Sequence, residues 1–120
     1  MIMIVDDSAI GRDVIKKALT MNNYNDVLEA ENGAVGLEKA KEHKGAVKLY
    51  ILDINMPVMD GLTLLGEIRK FDPSTPVVML TTETDKAKMA QAKSLGATGW
   101  MIKPFNEEQL MKVIGMVIKG

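Results

Sequence analysis

Three carboxylates, a hydroxyl and an ammonium stand at the ends of apolar runs in this chain. Asp6 and Asp7 follow M-I-M-I-V, Asp53 follows L-Y-I-L, Thr81 follows V-V-M-L, and Lys103 follows G-W-M-I. If each run is a strand of one parallel sheet, all five side chains emerge on the rim where open α/β sheets bind ligands. Asp6, Asp7 and Asp53 then crowd together. At an effective dielectric near 20, carboxylates ~4–5 Å apart repel by roughly 3–4 kcal/mol per pair. A hard divalent cation offsets that repulsion. Clustered carboxylates plus a backbone carbonyl are the oxygen donors that magnesium, or manganese in its place, takes. A nearby lysine supplies a point charge for a phosphate, and a threonine hydroxyl donates a hydrogen bond to it. Carboxylate, cation site, lysine and hydroxyl together suit phosphoryl transfer to an aspartate nucleophile.

The elements that must position these groups alternate along the chain. Leu49 to Leu52 is an uninterrupted apolar run, as expected of a strand buried on both faces, and Asn55, Pro57, Asp60 and Gly61 turn the chain away just after Asp53. Met1–Val5 reads as a first strand. A helix over Ser8–Met21 follows, with Asp7 or Ser8 as N-cap and Ile10, Val14, Ile15, Ala18 and Leu19 at helical spacing. Asp26–Ala30 is a second short strand, Asn32-Gly33 a turn, and the next helix places Ala34, Leu37 and Ala40 on one face. The third strand is Lys48–Asp53. A helix from about Gly61 to Phe71 carries Leu62, Leu65 and Ile68. Pro76–Leu80 is the fourth strand, and a helix from about Thr84 to Leu95 buries Ala87 or Met89, Ala92 and Leu95, closed by Gly96. Thr98–Ile102 is the fifth strand. The last helix, from about Asn106, carries Leu110, Val113, Ile114, Val117 and Ile118. Five strands alternating with five helices imply right-handed crossovers and a doubly wound α/β sheet of flavodoxin-like order 2-1-3-4-5. In that order the first and third strands are neighbours, which is what brings Asp6 and Asp7 to Asp53.

The 120 residues form one domain-sized unit, 1–120, without repeat or linker. Fifteen basic against sixteen acidic residues leave a net charge of -1, no footprint for nucleic acid or an anionic membrane. There is no cysteine, which excludes disulfide, thiolate and Cys-metal chemistry. No run reaches membrane-spanning length, and the N-terminus lacks a signal-peptide pattern, so a cytoplasmic, monomeric protein is expected.

The constellation resembles the receiver domain of two-component response regulators over essentially the whole chain. The residues that carry the resemblance are V-D-D at 5–7, L-D-I-N-M-P at 52–57, D-G at 60–61, Thr81, and K-P-F at 103–105. The resemblance implies that Asp53 is the phosphoacceptor for a histidine kinase. It implies that Asp6, Asp7, Asp53 and the Asn55 backbone carbonyl hold magnesium, and that Thr81 and Lys103 contact the phosphoryl oxygens. It makes Trp100 the switch aromatic and Lys103-Pro104 a cis bond. Asn55 and Glu83, each two residues beyond a site residue, match the residue types of the single-domain, chemotaxis (CheY-like) members, as does G-A-T-G-W-M-I-K-P-F. Both are candidates for setting phosphate lifetime. The implied mechanism is a population shift in which phosphorylated Asp53 draws Thr81 inward and Trp100 follows. It remodels the face made by the fourth helix, fifth strand and fifth helix, where an output protein such as a flagellar motor switch binds. Such a protein catalyses only its own phosphorylation and slow hydrolysis. Gly11, where a larger residue is commoner, and the bulk of Trp100 depart from the family pattern.

Plainer readings exist for several residues. Asp6-Asp7-Ser8 caps a helix, Asn55–Gly61 is a turn, Thr82 with Asp85 forms a capping box, and Glu83 is a solvated loop acid. His43 lies exposed among charges. Most of the ten methionines, such as Met3 and Met79, are core, while Met89, Met101 and Met111 are candidates for the output face. Trp100 as plain core packing is the alternative to a switch. A haloacid-dehalogenase-type phosphatase also places an aspartate after a strand, but it wants a second acid where this chain has Asn55. A phosphate sink or kinase-sequestering receiver requires the same site as a signalling one.

Overall fold

The computed structural model describes residues 1–82 and 86–118. Its elements are β1 (Ile2–Val5), α1 (Ala9–Met21), β2 (Val27–Ala30), α2 (Gly33–Glu42), β3 (Leu49–Asp53), α3 (Gly61–Phe71), β4 (Val77–Thr81), α4 (Lys86–Ser94), β5 (Gly99–Ile102) and α5 (Glu107–Val117). The strands form one parallel sheet in the order β2-β1-β3-β4-β5, the expected doubly wound arrangement. β1, β3 and β4 are buried at every position, as a central strand covered by helices on both faces must be.

Strand alternation sends successive side chains to opposite faces, and two apolar cores result. One gathers Met3, Val5, Tyr50, Leu52, Val77 and Met79 under α2, α3 and Ala92 of α4. The other gathers Ile4, Ile51, Val78, Leu80 and Met101 under Ile15 and Leu19 of α1 and Leu110 and Ile114 of α5. Met3 and Met79 are core, as expected.

The helix faces differ in detail from their apolar spacing. In α1 Ile15, Ala18 and Leu19 are buried, but Ile10 and Val14 are 79% and 54% exposed, because the first turns overhang the rim rather than the sheet. In α2 the buried positions are Gly33, Gly36 and Ala40, not Ala34; a Cβ at Gly36 would lie 3.0 Å from Val5, so the helix presses its smallest residues on the strand. In α3 Leu64 joins Leu65 and Ile68 inside, while Leu62 is half-buried. α4 buries Ala92 alone among its described residues; Ala87 and Leu95 are exposed.

Caps set the starts of four helices near the rim, Asn32 opening α2 by accepting from the Val35 N–H at 2.9 Å. Ser8, not Asp7, caps α1 by accepting from the Gly11 N–H, which leaves Asp7 available for other work. Asp60 caps α3 through the Thr63 N–H at 2.8 Å. Asn106 and Gln109 form a reciprocal capping box at the start of α5. His43 is the C-cap residue of α2 and is half-buried rather than exposed. The capping box read for Thr82 involves Asp85, and Asp85 and Glu83 lie outside the described residues.

Candidate functional site

β1 and β3 are adjacent and in register, Val5 beside Leu52, so the residues that follow them emerge side by side. Asp6 is completely buried, Asp53 nearly so, and Asp7 is exposed. Carboxylate oxygens of Asp6, Asp7 and Asp53 all lie within 4.8 Å of one another. That is the crowding the sequence implies, and three hard oxygen donors at this spacing fit a divalent cation of the magnesium class.

Asp6 and Asp53 are each held from more than one side. The Ser8 N–H donates to Asp6 Oδ1 at 2.9 Å, and Arg12 Nη1 donates to the Asp6 carbonyl at 2.6 Å. Arg12 also reaches Glu29 at 3.3 Å, tying α1 and β2 to the end of β1. The Asn55 N–H donates to Asp53 Oδ1 at 3.3 Å. Lys103 Nζ bridges the two acids, 3.1 Å from Asp6 Oδ2 and 3.2 Å from Asp53 Oδ2. Burial pushes the Asp53 carboxyl up to about 6; Lys103 pulls it down, and the Asp6 charge adds to the rise. Burial lowers the Lys103 ammonium, but Asp53 and Asp6 outweigh it and its pKa lies above the usual value.

The backbone delivers these groups by close approaches that tolerate little bulk. Gly61 packs so tightly behind β3 that a Cβ there would sit 2.1 Å from the Asp53 carbonyl oxygen. The loop between them is taut, with Val58 at φ 70 and the Met59 N–H donating to the Pro57 carbonyl. The Lys103 N–H donates to the Thr81 carbonyl at 2.6 Å and the Lys103-Pro104 peptide is cis. Thr81 itself is buried in the last position of β4. A Cβ at Gly11 would approach Asp6 Oδ2 to 2.9 Å, so the missing side chain leaves the pinned carboxylate its room. A cleft of about 600 Å³ opens beside it, lined by Asp6, Gly11, Val14, Lys103, Pro104 and Phe105.

The sequence matches the family described as "Response regulator receiver domain" over residues 2–115. The chain belongs to that family. It is 38% identical to the chemotaxis protein CheY of Bacillus subtilis, over 98% of this chain and 96% of the relative. It is 36% identical to chemotaxis protein CheY1 of Helicobacter pylori, over 98% and 95%. Among solved structures, Vibrio cholerae chemotaxis protein CheY4 superposes with a TM-score of 0.90 at 38% identity, covering 98% of this chain and 97% of that one. The receiver domain of NtrX from Brucella abortus superposes at 0.87 with 29% identity, over 98% and 97%.

The receiver fold therefore brings Asp6, Asp7, Asp53, Thr81 and Lys103 to one rim, with Asn55 two residues beyond Asp53. Trp100 is not packed in the core: it is 38% exposed on β5, beside Met79 of β4. Met101 points the other way, into the core beneath α1 and α5, and so does not line an outer face; Met89 and Met111 are half-buried. Two contributors escape a reading of the sequence. Arg12 has one signal, a long cation one turn after the cap of α1. Lys88, whose Nζ donates to Asn55 Oδ1 at 3.3 Å, has none, because its reach depends on where α4 lies. No described helix is long and apolar enough to cross a membrane.

Proposed function

We propose that residues 1–120 are one signalling receiver that takes a phosphoryl group from a partner histidine kinase onto Asp53. In that step an Asp53 carboxylate oxygen bonds to phosphorus as the bond from phosphorus to the donor's imidazole nitrogen breaks. The electron pair returns to the imidazole. The supporting observation is the Asp6–Lys103–Asp53 bridge at 3.1 and 3.2 Å, which sets an ammonium beside the nucleophile and a second buried carboxylate beside both. Asp6, Asp7, Asp53 and the Asn55 carbonyl are the residues that would hold magnesium or manganese. The chemistry such a cation supplies is neutralisation of the charge that gathers on the transferring group. On this reading Lys103 moves with the phosphoryl oxygens, Thr81 turns its hydroxyl toward them, and Trp100 follows.

The output is a protein contact on the α4–β5–α5 face, in a cytoplasmic chemotaxis pathway that ends at a flagellar motor switch. That assignment leans on identity to proteins named for chemotaxis. Fold alone does not choose the pathway, since the NtrX receiver superposes almost as well at 29% identity. Outside its own phosphorylation and hydrolysis, the chain turns over no metabolite.

Intact mass after incubation with magnesium and acetyl phosphate tests the core of this reading. One phosphoryl adduct is expected, absent from Asp53→Asn and without the cation. An unmodified wild-type mass would refute the phosphoacceptor assignment.

A further inference from the structure

α4 is tied to the rest of the molecule by little apolar surface, Ala92 being its one buried described residue. Its first turns nevertheless reach the phosphorylation loop. Lys88 Nζ donates to Asn55 Oδ1 at 3.3 Å, joining residues 33 positions apart, and the Asn55 N–H donates to Asp53 Oδ1 at 3.3 Å. Asn55 is exposed two residues after the buried Asp53, and its backbone bond to Asp53 Oδ1 keeps it beside the acid at the solvent edge of the site. With its amide oxygen occupied by Lys88, the Asn55 side chain loses the freedom an exposed asparagine ordinarily keeps.

Once Asp53 carries a phosphoryl group, its loss by hydrolysis requires a water to reach phosphorus opposite the Asp53 oxygen. The water oxygen bonds to phosphorus, the bond to Asp53 breaks, and the electron pair returns to the carboxylate. The protons of the water leave with phosphate and solvent. We infer that Lys88 is a positioning residue that pins Asn55 across the approach of this water and so lengthens the life of the phosphoryl group. The inference rests on Asp53 being the phosphoacceptor. It also makes α4 a sensor: any partner that pulls Lys88 off Asn55 shortens the signal.

The test follows phosphoryl mass with time after acetyl phosphate is removed, in wild type, Lys88→Ala, Lys88→Arg, Asn55→Ala and the Lys88→Ala/Asn55→Ala double variant. A surface hydrogen bond to a charged group predicts that Lys88→Ala shortens the half-life about threefold to tenfold, about 0.7–1.4 kcal/mol at 1.36 kcal/mol per decade. Lys88→Arg, which keeps a donor, stays within about twofold of wild type. In the Asn55→Ala background, removing Lys88 has no further effect, because its target is gone. A Lys88→Ala half-life equal to wild type would overturn the inference, as would an equal acceleration with and without Asn55. Absence of any adduct on wild type would instead refute the phosphoacceptor reading, and this inference with it.

Discussion

β3 (Leu49–Asp53) is buried at all five positions, whereas β5 (Gly99–Ile102) buries Met101 and leaves Trp100 38% and Ile102 41% exposed. The helices beside them differ in the same direction. α3 sets Gly61, Leu64, Leu65 and Ile68 into the core, and α4 sets in Ala92 alone among its described residues. The carboxylates of Asp6 and Asp53 stand on the well-packed side, held from several elements, and Lys103 reaches them from the end of β5. The exposed aromatic stands on the thinly packed side. Segments with few buried apolar contacts open and shift at low free-energy cost, while packed cores do not deform continuously. A single phosphoryl group has a few kcal/mol of differential interaction to spend, enough to move an edge strand and a loosely seated helix but not the centre of the sheet.

Matched substitutions give the largest test of that contrast. Leu65→Ala in α3 should cost about 2–5 kcal/mol, since it empties a fully buried site. Leu95→Ala, just beyond α4 and 39% exposed, should cost less than about 1 kcal/mol. Urea midpoints for the pair measure the difference, and equal losses would abolish the distinction between the two sides.

Glycines sharpen the same point at slightly smaller magnitude. Gly61→Ala would force a methyl to 2.1 Å from the Asp53 carbonyl oxygen and should cost about 2–3 kcal/mol. Gly115→Ala, in α5 with nothing within 4 Å, should stabilise by about 0.5–1 kcal/mol. Thermal melts of both variants would show opposite shifts.

The buried acid supplies a pH-dependent test. Without a bound cation, burial holds the Asp53 carboxyl near 6 against an ordinary 3.8. The folded state then holds the proton more tightly than the unfolded chain. That contribution is complete below about pH 4 and is lost as pH rises through about 6. Asp53→Asn, which has no charge to bury, should therefore exceed cation-free wild type by about 1–3 kcal/mol at pH 8 and match it near pH 4. Denaturant unfolding at the two pH values checks the sign. Phosphorylation should fall with the same midpoint, moved lower by saturating magnesium, which competes with the proton.

Much of this was legible in residue types. The five apolar runs predict the five strands to within a residue or two at each end, and the β1–β3 adjacency that assembles the acids follows from the doubly wound order. Thr81 and Lys103 were readable as the next groups on the rim because each follows an apolar run. Apolar spacing misassigned helix faces where a helix overruns the sheet, as Ile10 and Val14 do, or where close packing selects glycine over a larger apolar residue, as at Gly33 and Gly36. Gly61 read only as a turn residue; its steric role appears once α3 is seated against β3. Lys88 depends on tertiary placement and left no mark in local pattern.

The emission of Trp100, the one tryptophan in the chain, tests most directly the claim that chemistry on the packed side is read out on the loose side. Wild type, Thr81→Ala and Asp53→Asn would be titrated with magnesium and then acetyl phosphate, with adduct formation followed in parallel by mass. Wild type should change its emission in step with the adduct, Thr81→Ala should form the adduct with a much smaller change, and Asp53→Asn should show no phosphodonor-dependent change. A fully phosphorylated wild type whose Trp100 emission stays that of the magnesium-bound protein would contradict the account.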